Sequence, residues 1–240
     1  MNKNPILPKA FSLIIMLIMP VILMLGAVRL VLAPWYVEVE YRMPAFPADL
    51  YGFTQAERLK YSHIALDYLL NNAGIEYLSQ WHFENGGVAP MQSCQFIDEY
   101  DGDCTRMYNN RELSHMVDVK IVLGRVMTVL YVLLVFLALG AVWAWRGGWL
   151  TEYLRGMGRG GWLTVGLIAV VLAFVVIAFY PFFTFFHNLF FAEGTWTFYW
   201  SDTLIRLFPG RFWQDTFIWV GGFAALIGLG LGLKFAPRKK

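Results

Sequence analysis

Four stretches of the chain stay apolar for long enough to cross a hydrocarbon layer of about 30 Å, which takes about 20 residues of helix. The first runs from about Ala10 to Ala33 and carries no charge before Arg29. The second begins near Val119 and is uncharged from Val126 to Trp145, and the third, from about Trp162 to Phe186, lies between Arg159 and Glu193 with no formal charge in between. The fourth extends from about Thr216 to Leu233. Its Gly228 and Gly232 form a small-xxx-small pair, which either admits a neighbouring helix closely or reflects the ordinary tolerance of glycine in membrane helices.

Between the first two runs the pattern changes. Val37 to Tyr41 alternates apolar and acidic residues, which predicts a half-buried strand. Thr54 followed by Glu57 is a capping box, after which Leu59, His63, Leu66 and Leu70 share one face of a helix that stops at Asn72 to Gly74. The 84 residues from Pro34 to Val117 are too many for an idle connection and predict a folded cap. The expected fold is an all-α membrane protein, four transmembrane helices with an extracytoplasmic cap of mixed α and β structure. Its parts are an N-terminus and first helix (1–33), the cap (34–117), the second helix (118–145), a cytoplasmic connection (146–161) and the third helix (162–186). An aromatic outer segment with an interfacial helix (187–215) and the fourth helix with a basic tail (216–240) complete it.

Composition agrees and excludes a water-soluble domain: 58% of residues are hydrophobic and only 15% charged,. A net charge of +2 offers no reason to expect nucleic acid as a partner. Aromatic residues make up 18%, which suits wide surfaces at the lipid boundary. Charge placement predicts orientation. Lys3, Lys9, Arg146, Arg155, Arg159, Lys234, Arg238, Lys239 and Lys240 flank the membrane runs on one side against the single acid Glu152, whereas Pro34 to Val117 holds 12 acidic and 5 basic residues. Basic connections stay inside, so both termini are expected in the cytoplasm and the cap outside. A cleaved signal peptide fits poorly, because the first run exceeds the usual 7 to 15 apolar residues and Arg29 interrupts any cleavage region.

The two cysteines, Cys94 and Cys104, both fall in this outer segment, where a disulfide closing a short loop is expected. A metal-ligand pair has the wrong spacing, and Asp98, Asp101 and Asp103 lack the full EF-hand pattern for Ca²⁺. His63 reads as a core residue of its helix and His82 as an exposed or packing one. No Walker A lysine, H-E-x-x-H or G-x-S-x-G motif occurs. Gly156, Gly158 and Gly161 spell G-x-G-x-x-G, but they follow a membrane run rather than a strand and read as a flexible turn.

Candidate chemistry gathers at the outer boundary. Arg111, Glu112, Ser114, His115, Asp118, Lys120 and Arg125 crowd the entrance to the second helix, and His115, Asp118 and Arg125 fall within about 80° of arc on a helical wheel. Ionisable groups at that depth are costly unless they face a bundle interior and find partners. Lys120 and Arg125 also fit snorkelling anchors with Asp118 as countercharge. A second histidine, His187, is placed at the same depth among Phe185, Phe186, Phe190, Phe191 and Trp196, just beyond Pro181, which is expected to bend or end its helix. Ser201 to Pro209 predicts a short interfacial helix capped by Ser201, whose Arg206 is either a donor to a reacting oxygen or a headgroup contact.

Four runs carry a resemblance: Arg-Glu-Leu-Ser-His-Met-Val-Asp-Val (111–119), Phe-His-Asn-Leu-Phe-Phe (186–191), Gly-Thr-Trp (194–196) and Ser-Asp-Thr-Leu-Ile-Arg-Leu-Phe-Pro (201–209). From about Arg111 to Thr216 the chain resembles the bacterial four-helix membrane family that includes lipoprotein intramolecular transacylase. The resemblance implies two catalytic histidines at the cap-membrane boundary, His115 and His187. It also implies transfer of the sn-2 acyl chain of a diacylglyceryl lipoprotein to the α-amine of its own N-terminal cysteine, giving a lyso-form lipoprotein. Diacylated bacterial lipoprotein and membrane lipid are the implied partners.

The residues suit that chemistry on their own terms. Ester-to-amide transfer is downhill and needs no nucleotide, and neither a metal nor a cofactor is expected. An α-amine of pKa about 7.7 to 8 must lose a proton and the departing glyceryl oxygen must gain one, tasks that histidine performs. Which of His115 and His187 does which stays open. Asp118 is expected to orient His115, Phe190, Phe191 and Trp196 to confine the substrate, and Arg206, backbone N–H groups or an imidazolium to meet the oxyanion. Two other classes compete: a metal-dependent membrane hydrolase using His115, Asp118 and His187, and a non-catalytic membrane scaffold whose cap binds a partner.

Overall fold

A computed structural model describes residues 6–235. These form ten α-helices, α1 (Ile6–Val31), α2 (Pro34–Glu40), α3 (Gln55–Leu70), α4 (Glu76–Ser79), α5 (Met91–Cys94), α6 (Asn110–Arg146), α7 (Leu150–Ile177), α8 (Phe179–Phe190), α9 (Thr203–Leu207) and α10 (Gly210–Phe235). Two short 3-10 turns, Glu84–Gly86 and Ile97–Tyr100, complete the regular structure. Helices α1, α6, α7 and α10 are long and apolar enough to cross a membrane. The chain divides into two compact units: the described residues up to Val31 with Arg125–Ala178 and the described residues from Thr216, and Leu32–Gly124 with Phe179–Asp215. Of the basic residues that argued for orientation, Lys3, Arg238, Lys239 and Lys240 lie outside the described residues.

The membrane unit is built on close helix approach. A Cβ added to Gly156 of α7 would lie 2.6 Å from the Ser12 carbonyl oxygen of α1, and one on Gly160 would lie 2.5 Å from the Met19 Cβ. On the other side of α7, a Cβ on Gly228 of α10 would sit 2.8 Å from the Gly161 carbonyl oxygen. The stretch expected as a flexible turn is therefore helix interior. Each glycine there costs about 1 kcal/mol of helix propensity, and a methyl group would collide with neighbouring backbone. In lipid, where apolar burial no longer drives helices together, such close packing takes over that role. Ser12 Oγ donates to the Glu152 carbonyl at 2.7 Å and accepts from Arg159 Nη2 at 2.8 Å, which locks the α1–α7 pair at one end.

The second unit corrects the expectation of a mixed α and β cap. No strand forms among the described residues; the nearest approach is one isolated antiparallel bridge, His82 to Arg106. Val37 to Tyr41, expected as a strand, is the end of α2 and the residue after it. Pro34 occupies the first helical turn, where its fixed φ favours helix and its missing N–H is not needed,. The short apolar-acidic alternation yields to helical spacing: Tyr36, Val37, Glu40 and Tyr41 are all buried. The Thr54–Glu57 capping box forms as the sequence indicated, and α3 buries Tyr61, Ala65 and Tyr68 in a core with Leu78, Met107, Leu113, Met116 and Leu207. Cys94 and Cys104 are disulfide-bonded. His63 is half-buried, with Nε2 3.2 Å from Glu38 Oε1, rather than a core residue.

Helix α7 ends at Ile177, Ala178 departs from helical geometry (φ −141°, ψ 54°), and α8 restarts at Phe179. Pro181 thus lies in the first turn of a new helix, where proline is tolerated. The break follows Ile177, whose carbonyl the Pro181 ring would strike in a continuous helix,.

Glu40 is fully buried, and neither carboxyl oxygen receives a hydrogen bond. Burial first, then neighbouring Asp215, pushes its pKa up to about 8, so at neutral pH it carries a proton that it can share with Asp215. A group raised in this way supports the fold below its unfolded value of 4.5 and loses that contribution as pH climbs through about 8,. Glu40→Gln should therefore match the parent protein in melting temperature near pH 4.5 and gain an increasing advantage up to about pH 8. Thermal melts across that range check this; a constant difference would contradict it.

Candidate active site

Helix α6 begins with a reciprocal cap: the Asn109 side chain accepts from the Glu112 amide at 2.9 Å, and Glu112 Oε2 accepts from the Asn109 amide at 2.9 Å. This is a capping box built on Asn, readable in the spacing Asn109 to Glu112. The other oxygen of Glu112 accepts from the Leu204 amide at 2.6 Å and so caps α9 from a distant element. Ser201 was expected in that role. Asp202 is instead the N-cap residue, and its side chain makes no capping bond. One turn beyond this junction α6 carries His115.

His115 and His187 are both 8% exposed. Their ring centroids lie 6.4 Å apart with the planes inclined by 26°. At that separation no nitrogen of one ring reaches hydrogen-bond distance of the other. His187 Nδ1 is 2.9 Å from the Phe183 carbonyl oxygen. A carbonyl can only accept, so Nδ1 bears the proton and Nε2 keeps its lone pair. Burial lowers the His187 pKa, which favours the neutral ring. His115 Nδ1 is buried without a hydrogen-bond partner. The expectation that Asp118 orients this ring is thus not met at that nitrogen, and among the described residues no three His, Cys, Asp or Glu side chains are grouped to hold a metal.

Aromatic rings line the pair. Phe183 and Trp196 pack on His187 at 3.9 and 4.8 Å, and Phe191 and Phe198 on His115 at 4.9 and 5.3 Å. Trp196 and Phe191 were expected here, whereas Phe190 is 44% exposed and packs at a tilt on Phe186 instead. Phe183 lies one helical turn before His187, and this spacing is the sequence signal that would have found it. Phe198 comes from an irregular segment with no periodicity to read.

Arg206 differs most from expectation. It is buried, and Nε and Nη2 donate to the two oxygens of Asp49 at 3.1 and 3.0 Å, while Cζ sits 3.6 Å from the Phe53 ring centroid. A guanidinium so engaged ties α9 to the segment before α3 and is not presented to a reacting oxygen. Lys120, expected to snorkel, donates to the Ala73 carbonyl at 2.6 Å and lies over Tyr68, which fastens α6 to the end of α3.

A family model described as lipoprotein intramolecular transacylase Lit matches residues 12–213 of the chain. The chain belongs to that family. This transacylase is a multi-pass membrane acyltransferase. The scaffold and hydrolase readings fall away with that membership. An uncharacterized protein of Aquifex aeolicus (strain VF5) is 28% identical over 224 residues, 92% of this chain and 91% of that protein. The solved structure of the membrane-integral lipoprotein intramolecular transacylase Lit from Bacillus cereus matches with a TM-score of 0.68 at 18% identity, covering 95% of this chain and 91% of that one. The same protein with a histidine replaced by alanine matches at 0.64 and 16%, covering 95% and 92%. At these identities the likeness is one of fold.

Removing one member of a buried ion pair strands the other, at a cost of about 3 to 5 kcal/mol. Burial raises the Asp49 pKa, but Arg206 and the Phe53 and Tyr51 amides together hold it below the ordinary carboxylate value. Asp49→Ala should therefore destabilise this unit by about that amount at neutral pH. The penalty should shrink as pH falls below 3.8, where the parent protein also loses the charge. Chemical denaturation monitored by near-UV circular dichroism measures both.

Proposed function

We propose that this transacylase moves the sn-2 acyl chain of a diacylglyceryl lipoprotein to the α-amine of that lipoprotein's N-terminal cysteine. His187 takes the amine proton and His115 serves the departing glyceryl oxygen. The observation that carries the reading is the facing pair of buried imidazoles, 6.4 Å apart inside an aromatic enclosure. Supporting it, the hydrogen bond from Nδ1 to Phe183 leaves His187 Nε2 as an acceptor,.

In this reaction the amine nitrogen forms a bond to the ester carbonyl carbon, the bond from that carbon to the sn-2 oxygen breaks, and the amine proton ends on that oxygen. Nothing is gained or lost overall, so no cofactor enters. Donor and acceptor belong to one substrate, and holding them in attack geometry contributes up to about 7 to 11 kcal/mol in favourable intramolecular cases. Phe183, Phe191, Trp196 and Phe198 supply the confinement. With Arg206 committed to Asp49, the donor for the developing oxyanion is an imidazole N–H or a backbone amide. The distribution of basic residues supports both termini in the bacterial cytoplasm and a site on the extracytoplasmic side, where matured lipoproteins reside.

Expression in a host with diacylated lipoproteins should relocate one acyl chain to the N-terminal amine. Mass spectrometry of the N-terminal peptide would then show an unchanged total mass with an N-acyl fragment. His115→Gln and His187→Gln should each lower turnover by about 10² to 10⁴-fold, the usual share of a general acid or base. Undiminished transfer in either variant would remove that histidine from the mechanism.

A further inference from the structure

Between α8 and α9 the chain runs through residues 191–202 without regular secondary structure, yet this segment delivers Trp196 to His187 and Phe198 to His115. Backbone bonds of its own are few, so its shape depends on side chains elsewhere. Asp202, fully buried, closes it: Oδ2 accepts from the Tyr199 amide at 2.9 Å. The same oxygen is 3.3 Å from Arg111 Nη2, on α6 one turn before His115. Oδ1 accepts from the buried Ser93 hydroxyl at 2.7 Å. Ser93 Oγ also lies 2.6 Å from Ser201 Oγ, and because its single proton goes to Asp202, the Ser201 hydroxyl donates to it. Ser93 stands next to Cys94, whose disulfide to Cys104 anchors the end of α5. The ring of Phe96 from the same loop stacks on Tyr199 at 5.0 Å, with the planes inclined by 3°.

We propose that Ser93 and Asp202 are positioning residues for acyl transfer: they bond the end of α5, beside the disulfide, to segment 196–202 and so hold Trp196 and Phe198 against the two histidines. Neither residue touches a histidine. They act through the two rings, and the inference rests on the transacylase reading of the histidine pair. Its physical basis is that a buried carboxylate accepting from an amide, a hydroxyl and a guanidinium fixes three elements at once. Such charge-assisted bonds are shorter and stronger than neutral ones.

The test uses the full-length protein in liposomes with Ser93→Ala, Asp202→Asn and the double variant. Ser93→Ala removes one donor, and Asp202→Asn turns one acceptor into a donor facing the Tyr199 amide. The first measurement is the carbethoxylation rate of His115 and His187 by diethyl pyrocarbonate, read by peptide mass spectrometry. The second is turnover of a diacyl lipopeptide, with the melting temperature followed alongside. Each single variant should be modified several-fold faster at both histidines. Turnover should fall about tenfold, the consequence of losing one hydrogen bond to a charged acceptor, with the half-saturating lipopeptide concentration unchanged. The double variant should be no worse than the worse single one, because both loosen the same hydrogen-bonded junction.

Parent-like modification rates in both single variants overturn the proposal. So do additive losses in the double variant, or a turnover loss that follows the fall in melting temperature. If the parent protein transfers no acyl chain while the variants still expose the histidines, the transacylase reading fails and the positioning role of Ser93 and Asp202 stands.

Discussion

Glu112 joins the parts on which the site depends. Its carboxyl group is fully buried and receives the Asn109 amide on one oxygen and the Leu204 amide on the other. A buried acceptor pays its desolvation cost only through such bonds, so α6 and α9 must meet at one register. That register sets where the next turn of α6 presents His115 and where the segment before α9 delivers its aromatic rings. Helix α6 has 37 residues, about 55 Å at 1.5 Å per residue. This is well beyond the about 30 Å of a hydrocarbon core, so α6 is longer than a span needs, and its first turns carry His115.

Around this joint, charges with different sequence roles become clamps. Arg206 locks onto Asp49, Arg111 onto Asp202, and Lys120 onto the end of α3. Each spends a cation on internal geometry, so the groups packed on the His115–His187 pair are aromatic rings. A site of low polarity strengthens the few polar contacts that remain. The proposed transfer chemistry relies on such contacts.

The membrane unit is held by other means. Gly156, Gly160 and Gly161 on α7 meet Ser12, Met16 and Gly228 at backbone contact, and hydrogen bonds at Ser12 and from the Tyr153 hydroxyl to the Leu137 carbonyl add to it. Two regimes of packing thus coexist in one chain, glycine-mediated approach in the spans and a core of Tyr, Leu and Met in the unit that carries the histidines.

The sequence by itself determined the four spans, the capping box at Thr54, the pairing of Cys94 with Cys104 and the two histidines that meet. All of these are encoded in local runs: apolar length, a three-residue cap spacing, two cysteines in one outer segment, and imidazoles at one predicted depth. Tertiary structure decided the rest. Whether Val37 to Tyr41 became strand or helix turned on Pro34 and on what Glu40 packs against. The fate of Arg206 turned on Asp49, far away in the chain, and the cap of α9 came from Glu112 rather than Ser201. Such choices depend on which buried donor finds which acceptor, and that pairing exists only once segments distant in sequence are brought together.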